Sequence, residues 1–172
     1  SASRPILLIF LFTQLFLQVG MAQSAPQPQK LNTANQQLTQ QRSDYSTAIA
    51  MARKGQWQTL RDFRSKLFDY PLYEYLVYAD LSANLRYNRR AEIADYLAAH
   101  QGNVKETHLR NRWLDYLSSR GYWTAYTEYY RDSTASRSQR CNFYLAQHRL
   151  GKQSKAVAGG LSVWVEGKSL PK

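Results

Sequence analysis

Apolar residues recur at the spacing of an α-helix in several stretches of the chain. Three sets show this pattern most clearly, with apolar positions three, four or seven residues apart. They are Tyr45, Ala48, Ile49 and Ala52; then Leu72, Tyr75, Leu76 and Ala79; and then Leu109, Trp113, Tyr116 and Leu117. Each set predicts a helix with one apolar stripe, and the chain as a whole predicts an all-α fold of about eight helices.

Glycines separate the predicted helices. Gly55, Gly121 and Gly151 each follow a basic or apolar helical end, where a glycine in the left-handed conformation stops a helix. Pro71 suits the first turn of another helix, with Asp69 as its N-cap. These residues predict where helices end and begin.

A short unit recurs at the glycines. "RKGQWQTL" (53–60), "SRGYWTAY" (119–126) and "RLGKQSKA" (149–156) each end one helix and begin another. Such helix–Gly–helix units are typical of helical-hairpin solenoids, although the irregular spacing excludes a regular tetratricopeptide array. We therefore predict short helices paired into a curved, solenoid-like α-superhelix, with a compact bundle as the alternative. The four tryptophans are expected in the core.

The first residues are typical of an export signal. Arg4 precedes an apolar run at 6–19, and the small residues Gly20 and Ala22 suit a cleavage site. We predict a signal peptide at 1–25, a polar linker at 26–35 and a helical domain at 36–172. An uncleaved N-terminal anchor is the alternative. No other stretch is hydrophobic enough to form a stable membrane span.

The composition and the predicted compartment limit the classes of partner that the chain can have. The net charge of +11 favours anionic partners such as nucleic acid, lipid headgroups or acidic wall polymers. Export disfavours nucleic acid. The helical pattern predicts that the basic residues are spread along the helices, without a cluster or a known binding module. The sequence predicts no nucleic-acid partner.

No set of residues predicts catalysis, a metal or a cofactor. His100, His108 and His148 lack metal-site spacing, and the chain has one cysteine. The glutamates are expected on polar helix faces as solvated charges rather than as tuned acids; they are Glu74, Glu92, Glu106, Glu128 and Glu166. The residues alone predict an exported, basic, helical binding or scaffolding domain.

Two stretches resemble a known family. "DYPLYEYLVYADLSANL" (69–85) and "QRCNFYLAQHRLGKQSKAVAGGLSVWVEGKSLP" (139–171) resemble the N-terminal superhelical domain of soluble lytic murein transglycosylases. The first matches through its Asp-Tyr-Pro-Leu-Tyr run. The second matches through Cys141-Asn142 with an aromatic pair, Gly151, Trp164, and Gly-Lys-Ser with Pro171. The leader and "QRSDYSTAIAMARKGQW" (41–57) fit the family's beginning.

The resemblance implies a function that composition does not. Such enzymes are periplasmic proteins of Gram-negative bacteria, and their N-terminal helices begin a U-shaped superhelix. A separate lysozyme-like domain cleaves the MurNAc–GlcNAc bond of peptidoglycan without water, through a glutamate in a Glu-Ser motif. This chain contains no Glu-Ser pair, so no glutamate is assigned as catalytic. We expect it to be inert alone, with peptidoglycan glycan strands and a separate catalytic polypeptide as partners.

The resemblance also gives Cys141 a role. In the family, a second cysteine soon follows the Gly-Lys-Ser segment and pairs with the cysteine of the Cys-Asn motif. Cys141 is therefore expected to be half of a structural disulfide whose partner is not in this sequence. The alternative is a buried apolar thiol, on a helix face shared with Tyr144 and Leu145.

Three functional hypotheses follow. The chain is the N-terminal piece of a lytic transglycosylase, a standalone periplasmic peptidoglycan-binding module, or a solenoid adaptor for another protein. The last predicted helix carries Leu161, Val163, Trp164 and Val165 with few polar residues. Because terminal solenoid repeats carry a polar cap, this favours the first hypothesis and predicts poor solubility.

Overall fold

The computed structural model describes residues 28–168, and side chains for residues 32–165. This part of the chain forms eight α-helices and no strand, so the all-α prediction is confirmed. The helices are α1 (Pro28–Arg53), α2 (Trp57–Arg64), α3 (Tyr73–Ala83), α4 (Arg90–Ala99), α5 (Val104–Arg120), α6 (Trp123–Tyr129), α7 (Arg137–Arg149) and α8 (Gln153–Lys168). Three 3₁₀ turns lie at Ser65–Leu67, Tyr87–Arg89 and Asp132–Thr134.

The chain divides into two units, residues 1–38 and 39–172. In the first, the structure describes the beginning of α1, where the side chains of residues 32–38 are exposed. Helix α1 begins at Pro28, inside the predicted linker, since the Gln, Ala and Leu of this polar stretch are good helix formers. The predicted signal peptide at 1–25 lies outside the described residues, and the three predicted domain boundaries stay predictions.

Glycines in the left-handed conformation lie after four of the helices. Gly55, Gly121 and Gly151 have φ angles of 69°, 72° and 80°, which confirms the predicted left-handed stops. Gly102, which the sequence analysis does not single out, has a φ of 80°. It precedes Asn103, whose side chain caps α5 by accepting from the Lys105 amide over 2.8 Å.

The predicted start of α3 is wrong. The helix begins at Tyr73, because a turn after the first 3₁₀ segment carries Asp69 and Pro71 ahead of it. Asp69 caps no helix and instead accepts a hydrogen bond from Gln41 Nε2 over 3.0 Å. The buried face is therefore rotated from the predicted one, so Leu72 and Tyr75 are exposed.

Buried side chains form two clusters. The smaller joins α1, α2 and α3 through Ala48, Leu60 and Leu76, together with Leu67 of the first 3₁₀ turn. The larger surrounds α5, and its fully buried members include Ile93, Leu109, Trp113, Leu114, Leu117, Tyr126 and Ala146. The predicted apolar stripes of α1 and α5 are confirmed. Burial of one such large side chain contributes about 1.5–3 kcal/mol.

The tryptophans are not all in the core. Trp113 is fully buried, and Trp57 and Trp123 are half-buried against the two clusters. Trp164 on α8 is 59% exposed, so the core prediction is wrong for this residue. On the same helix Val163 is buried, while Leu161 and Val165 are exposed. The apolar surface expected on the last helix is therefore present.

The two Gly-x-Trp joints share one geometry. Gln56 and Tyr122, between glycine and tryptophan, have φ and ψ of −81° and 59°, and of −78° and 62°. The recurrence seen in sequence is thus a repeated structural unit, although the predicted curvature of a superhelix stays a prediction. Within residues 28–168, none of the helices has the length and apolar character needed to cross a membrane.

Candidate functional site

A buried carboxylate, Asp80 on α3, organises the polar centre of the second unit. Its side chain is fully buried and accepts hydrogen bonds from Arg61 Nη1 over 2.8 Å and Arg89 Nη2 over 2.9 Å. Arg64 Nη1 lies 3.4 Å away, and Asn84 Nδ2 donates over 3.0 Å. An ionised carboxylate is costly to bury, and these donors offset that cost.

Two separate elements supply the three guanidinium groups around Asp80. Arg61 and Arg64 lie three residues apart on α2, so they share one face of that helix. Arg89 comes from the 3₁₀ turn between α3 and α4. Asp80 follows Leu76 by one helical turn, on the face of α3 that is buried.

Arg89 joins the buried carboxylate to a second one. It donates to Glu92 from Nε over 3.1 Å and from Nη2 over 2.8 Å. This two-point hydrogen bond raises the pKa of Arg89 and lowers the pKa of Glu92. Glu92 is therefore ionised at neutral pH, and the Arg89 side chain is held in one position.

A cavity of about 310 Å³ lies beside this network. It is polar and cationic, lined by Arg61, Asn84, Arg86, Asn88, Arg89 and Glu92. Arg86 and Asn88, both in the connection between α3 and α4, are exposed. The prediction that the basic residues form no cluster is wrong, because arginines that are distant in sequence converge on the buried Asp80.

A second cavity, of about 330 Å³, lies between α3 and α4. It is more apolar, with Val77, Leu81 and Tyr96 in its lining, and Glu74 and Glu92 also line it. His100 donates from Nδ1 to the Tyr96 carbonyl over 2.8 Å, and its Nε2 lies 3.4 Å from Glu74. Burial, reinforced by the charge of Glu74, raises the pKa of Tyr96 to about 12.

Glu92, which lines both cavities, does not suit acid catalysis. A general acid for glycosidic cleavage needs a raised pKa, and the pKa of Glu92 is lowered. Glu74, Glu92 and Glu128 are exposed, as the sequence predicts. The side chain of Glu166 lies outside the described part of the chain.

Glu106 contradicts the prediction of solvated glutamates. Its side chain is 1% exposed on α5, where it accepts from Arg110 Nε over 2.9 Å. Arg131 Nη1 lies 3.4 Å from the same carboxylate, and Arg110 also donates to the Tyr129 carbonyl over 3.0 Å. The group joins α5 to the segment after α6, because two arginines compensate the buried charge.

The other singled-out residues stay apart. His108 and His148 are exposed on α5 and α7. In the part of the chain that the structure describes, no three His, Cys, Asp or Glu side chains lie close enough to hold a metal ion. The Cys141 thiol is exposed, so the alternative of a buried thiol is wrong. The disulfide stays a prediction.

One sequence signal could have revealed the arginine-lined cavity. Asp80 occupies a position of α3 that continues the apolar face of Leu76, and a charge at a buried position needs partners. Arg61 and Arg64, one turn apart, are a matching pair of donors. Which of the 23 basic residues would reach Asp80 depends on how the helices pack.

The sequence of the chain is similar to that of one kind of known enzyme. No family model matches the chain. The soluble lytic murein transglycosylases of Escherichia coli (strain K12) and Salmonella typhimurium (strain LT2) are each 25% identical over 134 residues. These matches cover 78% of this chain and 21% of each relative, so the chain spans about a fifth of their length.

A solved structure agrees with the sequence matches. The complex of the 70-kDa soluble lytic transglycosylase with bulgecin A is similar with a TM-score of 0.67 and 25% identity. The similarity covers 78% of this chain and 22% of that chain. The chain is therefore homologous to part of the soluble lytic murein transglycosylase, and the resemblance found in its sequence motifs is confirmed.

Proposed function

We propose that this chain is part of the helical scaffold of a periplasmic lytic transglycosylase that acts on peptidoglycan. The proposal is supported by one observation above all. The sequence match and the fold match each cover 78% of the chain, and both are to soluble lytic transglycosylases. The relatives found by sequence are named murein transglycosylases. The export signal predicted at 1–25 agrees with a periplasmic location.

In this proposal the helices position substrate and do not cleave it. Glu92 is held ionised by Arg89, and Glu106 is buried between arginines, so neither suits proton donation to a glycosidic oxygen. Cleavage of the MurNAc–GlcNAc bond, as the family resemblance implies it, is assigned to a catalytic domain outside these residues. The chain alone is expected to be inert, and a zymogram on murein is expected to show no clearing.

The size of the native protein tests the proposal. An immunoblot of the source cells against residues 36–172 is expected to detect a band much larger than the 19.9 kDa of this sequence. A large band that also clears murein in a zymogram would support a scaffold joined to its catalytic domain. A band near the mass of the sequence without its leader contradicts a single-chain enzyme and favours the second candidate.

The second candidate is a standalone periplasmic peptidoglycan-binding module. The arginine-lined cavity favours it, because the polymer carries carboxylates that a cationic cavity attracts. The purified chain is then expected to sediment with purified sacculi, and to do so less at high salt. If the chain stays in the supernatant at low salt, a protein-interaction module is favoured instead, with the exposed apolar surface of α8 as its contact.

A further inference from the structure

We infer that the cavity beside Asp80 binds a free carboxylate, and that its ligand is the peptide stem of peptidoglycan. The identity of the ligand rests on the proposed function, whereas the preference for an oxyanion rests on the cavity itself. Three steps support the inference: the charge around the cavity, the donors that line it, and its size and lining.

The charge around the cavity is positive. Four arginines lie at the cavity or in the network beneath it, and among the described residues two carboxylates accompany them there. Asp80 and Glu92 therefore leave an excess of cationic groups. Arg86 accounts for part of this excess, because it forms no ion pair with any residue that the structure describes. An anion bound here would complete the charge balance.

The lining offers donors that the protein does not use. The side chains of Arg86 and Asn88 make no hydrogen bond to another residue among the described side chains. Arg89 is fixed on the cavity wall by Asp80 and Glu92, so little of its freedom is lost when a ligand binds. A guanidinium presents a planar pair of N–H donors that matches the two oxygens of a carboxylate.

The size and lining of the cavity select a small charged group. Its volume of about 310 Å³ is at the lower end of the range for ligand sites, which suits one acidic residue rather than a disaccharide. Among the side chains that the structure describes, those that line it include no aromatic ring, so this lining offers no face for a sugar ring or a nucleobase. In peptidoglycan the small charged groups are the carboxylates of the peptide stems.

Calorimetric titration tests the inference, with a disaccharide-tetrapeptide muropeptide as the probe. The full chain is expected to bind this probe at low ionic strength, and the Arg86→Gln variant to bind it roughly tenfold or more weakly, because a charge-assisted hydrogen bond is lost. Arg112→Gln is the matched control, since Arg112 is exposed on α5 and away from the cavity lining. Amidation of the muropeptide's carboxyl groups is expected to weaken its binding to the unsubstituted chain by a similar factor.

Each other outcome overturns the inference. Sedimentation with sacculi tests separately whether the chain binds peptidoglycan, and the immunoblot tests the proposed function. Equal loss in Arg86→Gln and Arg112→Gln would mean attraction by overall charge only. Sacculus binding without any effect of Arg86→Gln would overturn the inference and leave the proposed function standing. Tighter binding of inorganic phosphate than of the muropeptide would overturn the assignment to stem carboxylates. Loss of sacculus binding altogether would count against both peptidoglycan-binding proposals.

Discussion

At the scale of single residues, two buried acids set the electrostatics of this protein. Asp80 and Glu106 are removed from solvent, and each lies among arginines from more than one part of the chain. A buried ion pair adds little net stability, but loss of one partner leaves an uncompensated charge. Substitution of either acid should therefore cost much more than substitution of a solvated one.

We predict that Asp80→Asn lowers the free energy of unfolding by about 2–3 kcal/mol. The substitution removes the negative charge that the surrounding arginines share. The loss is limited, because these arginines are partly exposed and water can solvate their positive charge. Urea unfolding followed by circular dichroism measures the change. Asp62→Asn is the control, because Asp62 is exposed on α2, and it should change stability by no more than about 0.5 kcal/mol. Equal effects of the two substitutions would contradict the role of Asp80.

The raised pKa of Tyr96 predicts a loss of stability in alkali. The phenol titrates near 10.0 when unfolded and at about 12 when folded, so the unfolded state loses its proton first. Its contribution is complete below pH 10 and is lost as the pH rises towards 12. Between pH 10 and pH 12 the free energy of unfolding of the unsubstituted protein should fall by up to about 2 kcal/mol more than that of the Tyr96→Phe variant. Parallel stability curves for the two proteins would contradict this.

At the scale of elements, glycine decides both where helices end and how closely they pack. Gly55 and Gly121 follow helices in the left-handed conformation, and a Cβ added at either one would lie within 4 Å of the indole nitrogen of the tryptophan that begins the next helix. Gly159 has another role, since it lies inside α8 where that helix meets α7. A Cβ at this position would overlap the ring of Tyr144.

We predict opposite effects for two neighbouring glycines of α8. Gly159→Ala should destabilise the protein by about 1–3 kcal/mol, because α8 must move away from Tyr144. Gly160→Ala should stabilise it by about 0.5–1 kcal/mol, since the added methyl group would meet no atom within 4 Å beyond its chain neighbours and the nearby backbone of its own helix, and alanine favours the helix. Thermal or urea unfolding of both variants measures the difference.

A double variant tests the cause. With Tyr144→Ala present, the further change Gly159→Ala should no longer be destabilising, because the overlap is gone. If Gly159→Ala costs as much without the Tyr144 ring as with it, the contact does not explain the effect.

At the scale of the whole molecule, the last two helices, α7 and α8, carry several exposed apolar side chains and an exposed thiol. Val157, Leu161 and Trp164 of α8 are each more than half exposed, and the Cys141 thiol on α7 is exposed as well. These exposed groups lie on two helices that pack against each other. Poor solubility of the isolated chain stays a prediction.

We predict that the purified chain forms disulfide-linked dimers through Cys141 under oxidising conditions. An exposed thiol with no partner cysteine in the sequence can pair only between molecules. A non-reducing gel should show the dimer, and Cys141→Ser should abolish it. The thiol should also react with a thiol reagent in the folded state. A monomer whose thiol reacts only after denaturation would contradict the exposure of Cys141.

Local signals in the sequence are sufficient for most of the fold. The stripes of α1 and α5 and the glycine stops at 55, 121 and 151 are all as predicted, because periodicity and left-handed glycines act within a few residues. The predicted start of α3 is wrong because it also rests on local signals. Asp69 and Pro71 are a plausible helix start, but a turn places the first helical residue at Tyr73.

The sequence by itself determined the all-α class, the glycine joints, the absence of a Glu-Ser motif and the resemblance to lytic transglycosylases. Only the tertiary structure decided which charges are buried, and hence that Arg61, Arg64 and Arg89 meet at Asp80 beside a cavity. The physical reason is the distance along the sequence over which each effect acts. Helix periodicity depends on residues a few positions apart, whereas the partners of a buried acid are distant in sequence, and only packing brings them within hydrogen-bond distance.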